Sequence, residues 1–232
     1  MITLNEAAAV GKVVDEIRTE LARADAEILV VDSSSDDTAT IAEAKGARVV
    51  RQFPPEGYGR AMERALREAR GDVVVTLDCD DTYPARRILE FAETVLSGKS
   101  DLVNGSRLRH KPASMPLANY LANRLFALTS RVLLGVRTTD VHSGMRAYRR
   151  SMLESLTFCA DGPALPVELL LKPALAGYLV TEVFIPYGER IGVTSLNRWS
   201  STVWTFKRIL QLFRYRLSAS AISPFATARG DR

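Results

Sequence analysis

Two carboxylates at alternate positions, Asp78 and Asp80, follow an apolar, β-branched run, Asp72-Val73-Val74-Val75. A third, Asp32, ends a similar run, Ala26-Glu27-Ile28-Leu29-Val30-Val31. Carboxylates crowded at strand ends repel one another unless a cation lies between them. Hard oxygen donors on a short loop suit Mg²⁺ or Mn²⁺, and such metals usually bridge to the phosphates of a substrate. The same acids can instead serve a helix N-terminus. Pro84 opens an amphipathic helix over residues 85–96, and Asp there satisfies backbone N–H groups and the helix dipole. An isolated Asp-x-Asp leaves both readings open.

The elements that must hold these residues alternate regularly. Residues 2–4 read as the end of a strand, and Asn5 as the cap of a helix over 6–22. Residues 26–32 are a buried strand, and Asp36 or Asp37 caps a helix to residue 44. A third strand covers 47–51, a proline- and glycine-rich loop 54–59, and a charged helix 60–70. The strand at 72–75 follows. Buried strands alternating with helices mean βαβ units and a parallel sheet. Ligands bind beyond the carboxyl ends of such strands, where Asp32 and Asp78 both fall. Further on, residues 101–104 read as a strand and 140–148 as a loop running into one. A helix covers 166–176 and a strand 178–186. The apolar segment 115–134 is interrupted by Arg124 and Arg131, which argues against a membrane span and for a helix carrying a functional or paired cation.

The chain has 232 residues, 47% of them hydrophobic and 25% charged, the composition of an ordinary folded protein. That length allows one large domain, or one domain plus an appendage. The formal charge of +4 fits an anionic partner, with nucleic acid and anionic lipid equally allowed. Cys79 and Cys159 lack metal-ligand spacing and read as small buried residues, reduced as in a cytosolic protein. No signal-peptide pattern opens the chain, and no apolar stretch reaches the roughly 18–20 residues a span needs. From Trp199 the apolar residues fall on Val203, Phe206, Leu210, Phe213 and Leu217, in steps of four and three. Arg198, Lys207, Arg208, Arg214 and Arg216 surround them. A basic, aromatic-rich amphipathic helix is suited to a membrane interface, and equally to packing on the domain or a second subunit.

Taken together, the motifs resemble the inverting glycosyltransferases of family 2 with the GT-A fold. The polyprenyl-phosphate branch, typified by dolichyl-phosphate mannose synthase, is the nearest pattern. The resemblance rests on Thr3-Leu4-Asn5-Glu6-Ala7, Val30-Val31-Asp32 with Ser35-Asp36-Asp37-Thr38, Gly57-Tyr58-Gly59 and Asp78-Cys79-Asp80. It continues through Gly105-Ser106-Arg107, Asp140 with Ser143-Gly144-Met145-Arg146-Ala147, and Arg190-Ile191-Gly192. It implies an α/β GT-A domain over 1–197, with a mostly parallel sheet flanked by helices. A basic amphipathic helix over 198–222 and a flexible tail over 223–232 complete the expected organisation.

The resemblance also implies roles. Thr3, Leu4, Glu6, Asp32 and Asp78 would hold the nucleotide, and Asp78 with Asp80 the metal, Mg²⁺ or Mn²⁺. Arg107 and Arg124 would bind the acceptor's phosphate, since guanidinium fits phosphate with two parallel hydrogen bonds. Arg190 would face the diphosphate, and Asp80, Asp140 and Arg107 are the catalytic candidates. A phosphate monoester, with a second pKa of about 6, is already largely ionised near neutral pH and needs no base. An alcohol acceptor would make Asp140 an obligatory one.

Several positions depart from the family pattern. Asp32 is followed by Ser33-Ser34-Ser35 in a shorter loop, which leaves the base open between GDP and UDP. Thr82 stands where a glutamine is common, so Asp81 is either a third metal ligand or, more simply, a helix cap. Arg190-Ile191-Gly192-Val193-Thr194-Ser195-Leu196 lacks the family's lysine, leaving Arg190 or Arg198 as the diphosphate's cation. The first strand lacks its usual apolar residues, so it starts upstream or is trimmed.

The expected activity is transfer of a hexose, mannose or glucose, from GDP-mannose or UDP-glucose to a polyprenyl phosphate. The enzyme would sit peripherally on the inner face of the membrane, without nucleic acid and as a possible homo-oligomer. Its rivals are a glycosyltransferase with a soluble or saccharide acceptor, and a non-catalytic nucleotide-sugar-binding protein.

Overall fold

The computed structural model describes residues 1–192 and 198–222. Thr194, Ser195, Leu196 and the tail 223–232 lie outside them, as does the side chain of Arg198. The first part of the chain folds as its alternation dictates. The order is β1 (Ile2–Thr3), α1 (Ala7–Glu20), β2 (Leu29–Asp32), α2 (Thr38–Ala44), β3 (Arg48–Arg51), α3 (Tyr58–Glu68) and β4 (Val73–Thr76). A short 3₁₀ turn (Ala85–Arg87) leads into α4 (Ile88–Leu96). β5 (Leu102–Ser106), α5 (Leu117–Leu134), β6 (Arg146–Arg149), α6 (Arg150–Ser155), α7 (Leu165–Leu175), β7 (Val180–Phe184) and α8 (Arg198–Ile222) complete it.

The strands form two sheets. One is parallel, in the order β1-β2-β3, and the other is mixed, in the order β4-β6-β5-β7. β6 runs antiparallel to both of its neighbours, whereas β5 and β7 are parallel. Strand direction is invisible to side-chain periodicity, so the expected βαβ pattern holds for the first sheet and is broken in the second by β6. That insertion builds the site. In register, Arg146 faces both Thr76 and Asn104. The chain entering β6 therefore passes over the carboxyl ends of β4 and β5, bringing the loop before it onto the strand-end acids.

One apolar core packs α1 and α4 on the sheets around Val14, Val30, Phe91, Val103 and Met145. A second joins α5, α7 and α8 around Phe126, Leu169, Leu170 and Ile209. Gly59, at the start of α3, serves this packing. A Cβ there would collide with the carbonyl of Ala160, so the Gly57-Tyr58-Gly59 motif is where a helix and a loop approach backbone to backbone.

Of the two cysteines expected to be buried, Cys79 is and Cys159 is exposed. Two expected caps are also corrected. Asn5 does not cap α1. It takes φ 58°, accepts the backbone N–H of Ser35 (3.0 Å), and leaves Glu6 at the cap position without a side-chain cap. Asp81 does not cap the following turn, whose cap is Pro84; with φ 65° it pairs instead with Lys12 of α1 at 2.5 Å.

Helix α8 is not a free appendage. Thr205, Arg208, Ile209 and Leu212 are its buried face. The buried Arg208 pairs with the buried Glu168 of α7 and donates to the Asp161 carbonyl (3.0 Å). Of the stripe read from sequence, Val203, Phe206, Leu210 and Leu217 are exposed, whereas Phe213 packs against the second core. Arg208 thus leaves the set of surface cations.

Candidate active site

At the carboxyl ends of β1 and β2, Asp32 is fully buried and saturated. It accepts from Thr3 Oγ1 (2.7 Å), Ser34 Oγ (2.6 Å) and the Ser34 N–H (3.2 Å), and pairs with Arg51. Arg51 was not anticipated, although β2 and β3 run parallel with Asp32 opposite Arg51, and both residues end apolar runs. Leu4 is exposed at the tip of the same edge.

The loop after β4 carries the two alternating acids. Asp80 is buried. Its Oδ1 accepts the Thr82 hydroxyl (2.6 Å) and N–H (3.2 Å), and its Oδ2 accepts Arg190 Nη1 (2.6 Å). Thr82 thus orients Asp80. Arg190 also bonds Glu6, so one guanidinium lies between an acid at the start of α1 and one in the loop after β4. The segment bearing it is laid against the acidic loop by two backbone bonds, Gly188 N–H to Thr82 O (2.9 Å) and Ile191 N–H to Asp80 O (3.0 Å).

Asp78 accepts no hydrogen bond from the described residues. Burial, then the charge of Asp80, pushes its carboxyl up to about 6. Burial pushes Glu6 up to about 7, against the opposing pull of Arg190. Gly144 exists for Asp78: a Cβ at that position would stand 2.6 Å from Asp78 Oδ2. Tyr83, unassigned from the sequence, fixes the same glycine by accepting its N–H at 2.7 Å.

These acids fit a divalent metal. Two oxygen-donor carboxylates lie together: Asp80 is paired with Arg190, and Asp78 feels Arg107, Arg190 and the Met1 amino group only through space. Among the described residues no group of three or more His, Cys, Asp or Glu could hold an ion by itself. Diphosphate oxygens and water would have to complete the shell, the usual arrangement for Mg²⁺ or Mn²⁺ at a nucleotide.

The loop before β6 holds a second acid–arginine pair. Asp140 is fully buried and accepts Arg107 Nε (2.6 Å), Arg107 Nη2 (2.9 Å) and the Arg107 N–H (3.2 Å). Burial raises the Asp140 pKa, but the charge and hydrogen bonds of Arg107 outweigh it and hold it below the usual carboxylate range. Arg107 also lies 5.1 Å from the Tyr187 ring centroid, and Tyr187 packs edge-on to Tyr83 (5.5 Å). Arg146, expected only as part of the motif, is buried. It donates to Asn104 Oδ1 (2.8 Å) and the Val141 carbonyl (2.9 Å), fixing the loop from below.

His142 extends this loop outward. Its Nδ1 meets Asn123 Oδ1 of α5 (3.2 Å) and its Nε2 meets Thr205 Oγ1 of α8 (2.8 Å). Burial lowers its pKa to about 4, so the ring is neutral at pH 7. Arg124 is exposed one residue beyond Asn123 and pairs with no described residue. Unlike Arg107, whose guanidinium Asp140 holds, it is not fixed by a carboxylate among the described residues.

Residues 1–157 match the family model described as Glycosyl transferase family 2. The chain is a family 2 glycosyltransferase. This glycosyltransferase is 39% identical to a dolichyl-phosphate hexose transferase of Haloferax volcanii, over 91% of each chain. It is 28% identical to an undecaprenyl-phosphate mannosyltransferase of Micrococcus luteus, over 72% of this chain and 73% of the relative. Among solved structures it is similar to glucosyl-3-phosphoglycerate synthase of Mycobacterium tuberculosis in complex with Mn²⁺, UDP-glucose and phosphoglyceric acid. That likeness has a TM-score of 0.72 at 26% identity, covering 92% of this chain and 78% of the other. Mannosyl-3-phosphoglycerate synthase of Rubrobacter xylanophilus gives a TM-score of 0.71 at 26% identity, over 100% and 76%. These neighbours bear out the expected GT-A fold.

Proposed function

We propose that this glycosyltransferase moves a hexose, with inversion and with a divalent metal, from a nucleoside diphosphate sugar to a polyprenyl phosphate at a membrane surface. The observation that carries the reading is the state of Asp140. A fully buried carboxylate, held by two guanidinium bonds and with a lowered pKa, is a poor general base. An acceptor that arrives ionised, as a phosphate does, needs none. The relatives named for dolichyl-phosphate and undecaprenyl-phosphate transfer support the lipid form of that acceptor.

In this reading Thr3, Leu4, Asp32 and Glu6 line the nucleotide. Asp78 and Asp80 hold the metal, which when bound neutralises charge growing on the departing diphosphate. Arg190 leaves Asp80 for the diphosphate. Arg107 keeps Asp140 on Nε and Nη2 and offers Nη1, which bonds to none of the described residues, to the acceptor's phosphate. Arg124, exposed on α5, meets that phosphate from the solvent side. The phosphate oxygen attacks the anomeric carbon in line, opposite the leaving diphosphate.

A soluble acceptor is the competing reading, favoured by neighbours crystallised with phosphoglyceric acid. The test is transfer of radiolabelled hexose from UDP-glucose and GDP-mannose, with Mn²⁺ or with EDTA. Polyprenyl phosphate, unphosphorylated prenol and phosphoglyceric acid would be offered in parallel. Metal-dependent, lipid-extractable label with the prenyl phosphate alone is expected. Label on phosphoglyceric acid, or transfer to prenol that Asp140→Asn abolishes while still folded, would replace this reading. Nucleotide binding without turnover would favour a non-catalytic protein.

A further inference from the structure

We propose that α5 and α8 together form one docking face for an anionic bilayer, with α5 as an equal partner. The inference extends the membrane part of the reading above. Apolar residues on α5 recur at Leu117, Leu121, Leu125, Leu128 and Val132, in steps of four and three that keep them on one side of the helix. All five are exposed, Val132 at 71%. The opposite side, with Asn123, Phe126 and Ser130, is buried on the domain. On α8, Trp199, Val203, Leu210 and Leu217 repeat the pattern, Trp199 at 83% exposure. Eleven of the sixteen exposed large apolar residues in the described part of the chain belong to these two helices.

The two stripes lie beside each other. Asn123 and Thr205 meet through His142, the rings of Phe126 and Phe206 are 5.0 Å apart, and Arg216 Nη1 reaches the Leu133 carbonyl at 3.2 Å. Contacts that advance together along α5 and α8 mean parallel, adjacent helices. Since each buries its other side in the same domain, their outward faces adjoin. An apolar surface of this extent is unusual on a soluble monomer.

Charge selects the occupant. Neither helix contains an Asp or Glu, although the chain has 27 such residues in 232. Arg124 and Arg131 on α5, with Lys207 and Arg214 on α8, are exposed around the stripes. Lys207 lies over the Trp204 ring at 4.6 Å. A second copy placed symmetrically on this face would set those cations against their own images, with no carboxylate on either helix to pair them. Anionic headgroups complement them, while the leucines enter the acyl boundary. The face is tied to the chemistry through His142, which holds both helices two residues from Asp140.

The test is co-sedimentation with phosphatidylcholine vesicles, with and without phosphatidylglycerol and free of nucleotide sugar and prenyl phosphate. A failure of the transfer assay then leaves this result untouched. The protein should bind only the anionic vesicles and release in high salt. Leu121→Gln/Leu128→Gln on α5 and Val203→Gln/Leu210→Gln on α8 should each weaken binding about tenfold or more. Arg131→Gln/Arg214→Gln should remove most of the preference for phosphatidylglycerol. Unchanged melting curves would show that these exposed sites leave the fold intact. No binding by folded wild type, or binding that the α5 pair leaves unchanged, would overturn the proposal. A dimer dissolved by the same substitutions, without vesicle binding, would assign the face to a second copy.

Discussion

Two acid–arginine pairs flank the site, and they differ in how firmly each is held. Asp140 and Arg107 are sealed, with side chains 0% and 9% exposed, joined by two side-chain bonds and a backbone N–H. Asp80 and Arg190 meet at a rim. Asp80 is buried, but Arg190 is 31% exposed and divides its guanidinium between Asp80 and Glu6. A sealed pair cannot lose one partner without leaving a buried charge uncompensated. A rim pair can, if another cation arrives. One pair therefore fixes the loop before β6, and the other sits where the proposed function would place a metal and a diphosphate.

The comparison can be broken at either pair. The largest effect should come from Asp80→Ala, which should reduce transfer about 10³-fold or more while the protein stays folded, measured as label transferred per enzyme. Retained metal-dependent turnover would remove Asp80 from the site. Asp140→Asn or Arg107→Met should cost about 3–5 kcal/mol of stability in urea unfolding, and Mn²⁺ should not restore it. A loss below about 1 kcal/mol would mean that the pair is not sealed in solution.

The pH dependence of His142 sharpens the contrast further. Its folded pKa, about 4, lies below the ordinary 6.5, so the unfolded chain binds more protons between those values. Its contribution is present above about 6.5 and lost as pH falls towards 4. His142→Gln should flatten the stability profile in that window alone. An unchanged profile would mean that the ring is not buried between α5 and α8. The smallest effect belongs to the rim. Arg190→Ala should cost about 1 kcal/mol at most, and Mn²⁺ with a nucleoside diphosphate should offset it.

The first sheet was legible because local alternation writes it into the chain. β2, β3 and β4 fall within a few residues of where apolar runs put them, with Asp32 the last residue of β2 and Asp78 two residues past β4. The second sheet was less so. β6 enters antiparallel between β4 and β5, a choice set by the path of the loop before it and not by periodicity. Asp140 and Arg107 are 33 residues apart, and nothing in either segment announces their pairing. Asp81 was misread because its turn takes φ 65° and aims the carboxylate at Lys12, 69 residues away. On α8 four of the five apolar residues read as one stripe are exposed, and Phe213 turns to the core. The stripe's partner face, Thr205, Arg208, Ile209 and Leu212, escaped notice because a buried arginine looks like a surface one in sequence.

The most direct measurement of the central claim, that Asp80 is a seat Arg190 yields to a metal, is Mn²⁺ uptake followed by electron paramagnetic resonance. Titrations would use the wild type, Arg190→Ala and Asp80→Asn, with and without nucleoside diphosphate. The wild type should take up Mn²⁺ tightly only with the nucleotide, Arg190→Ala should gain affinity for Mn²⁺ alone, and Asp80→Asn should take up none. Uptake by folded Asp80→Asn equal to that of the wild type would contradict the account.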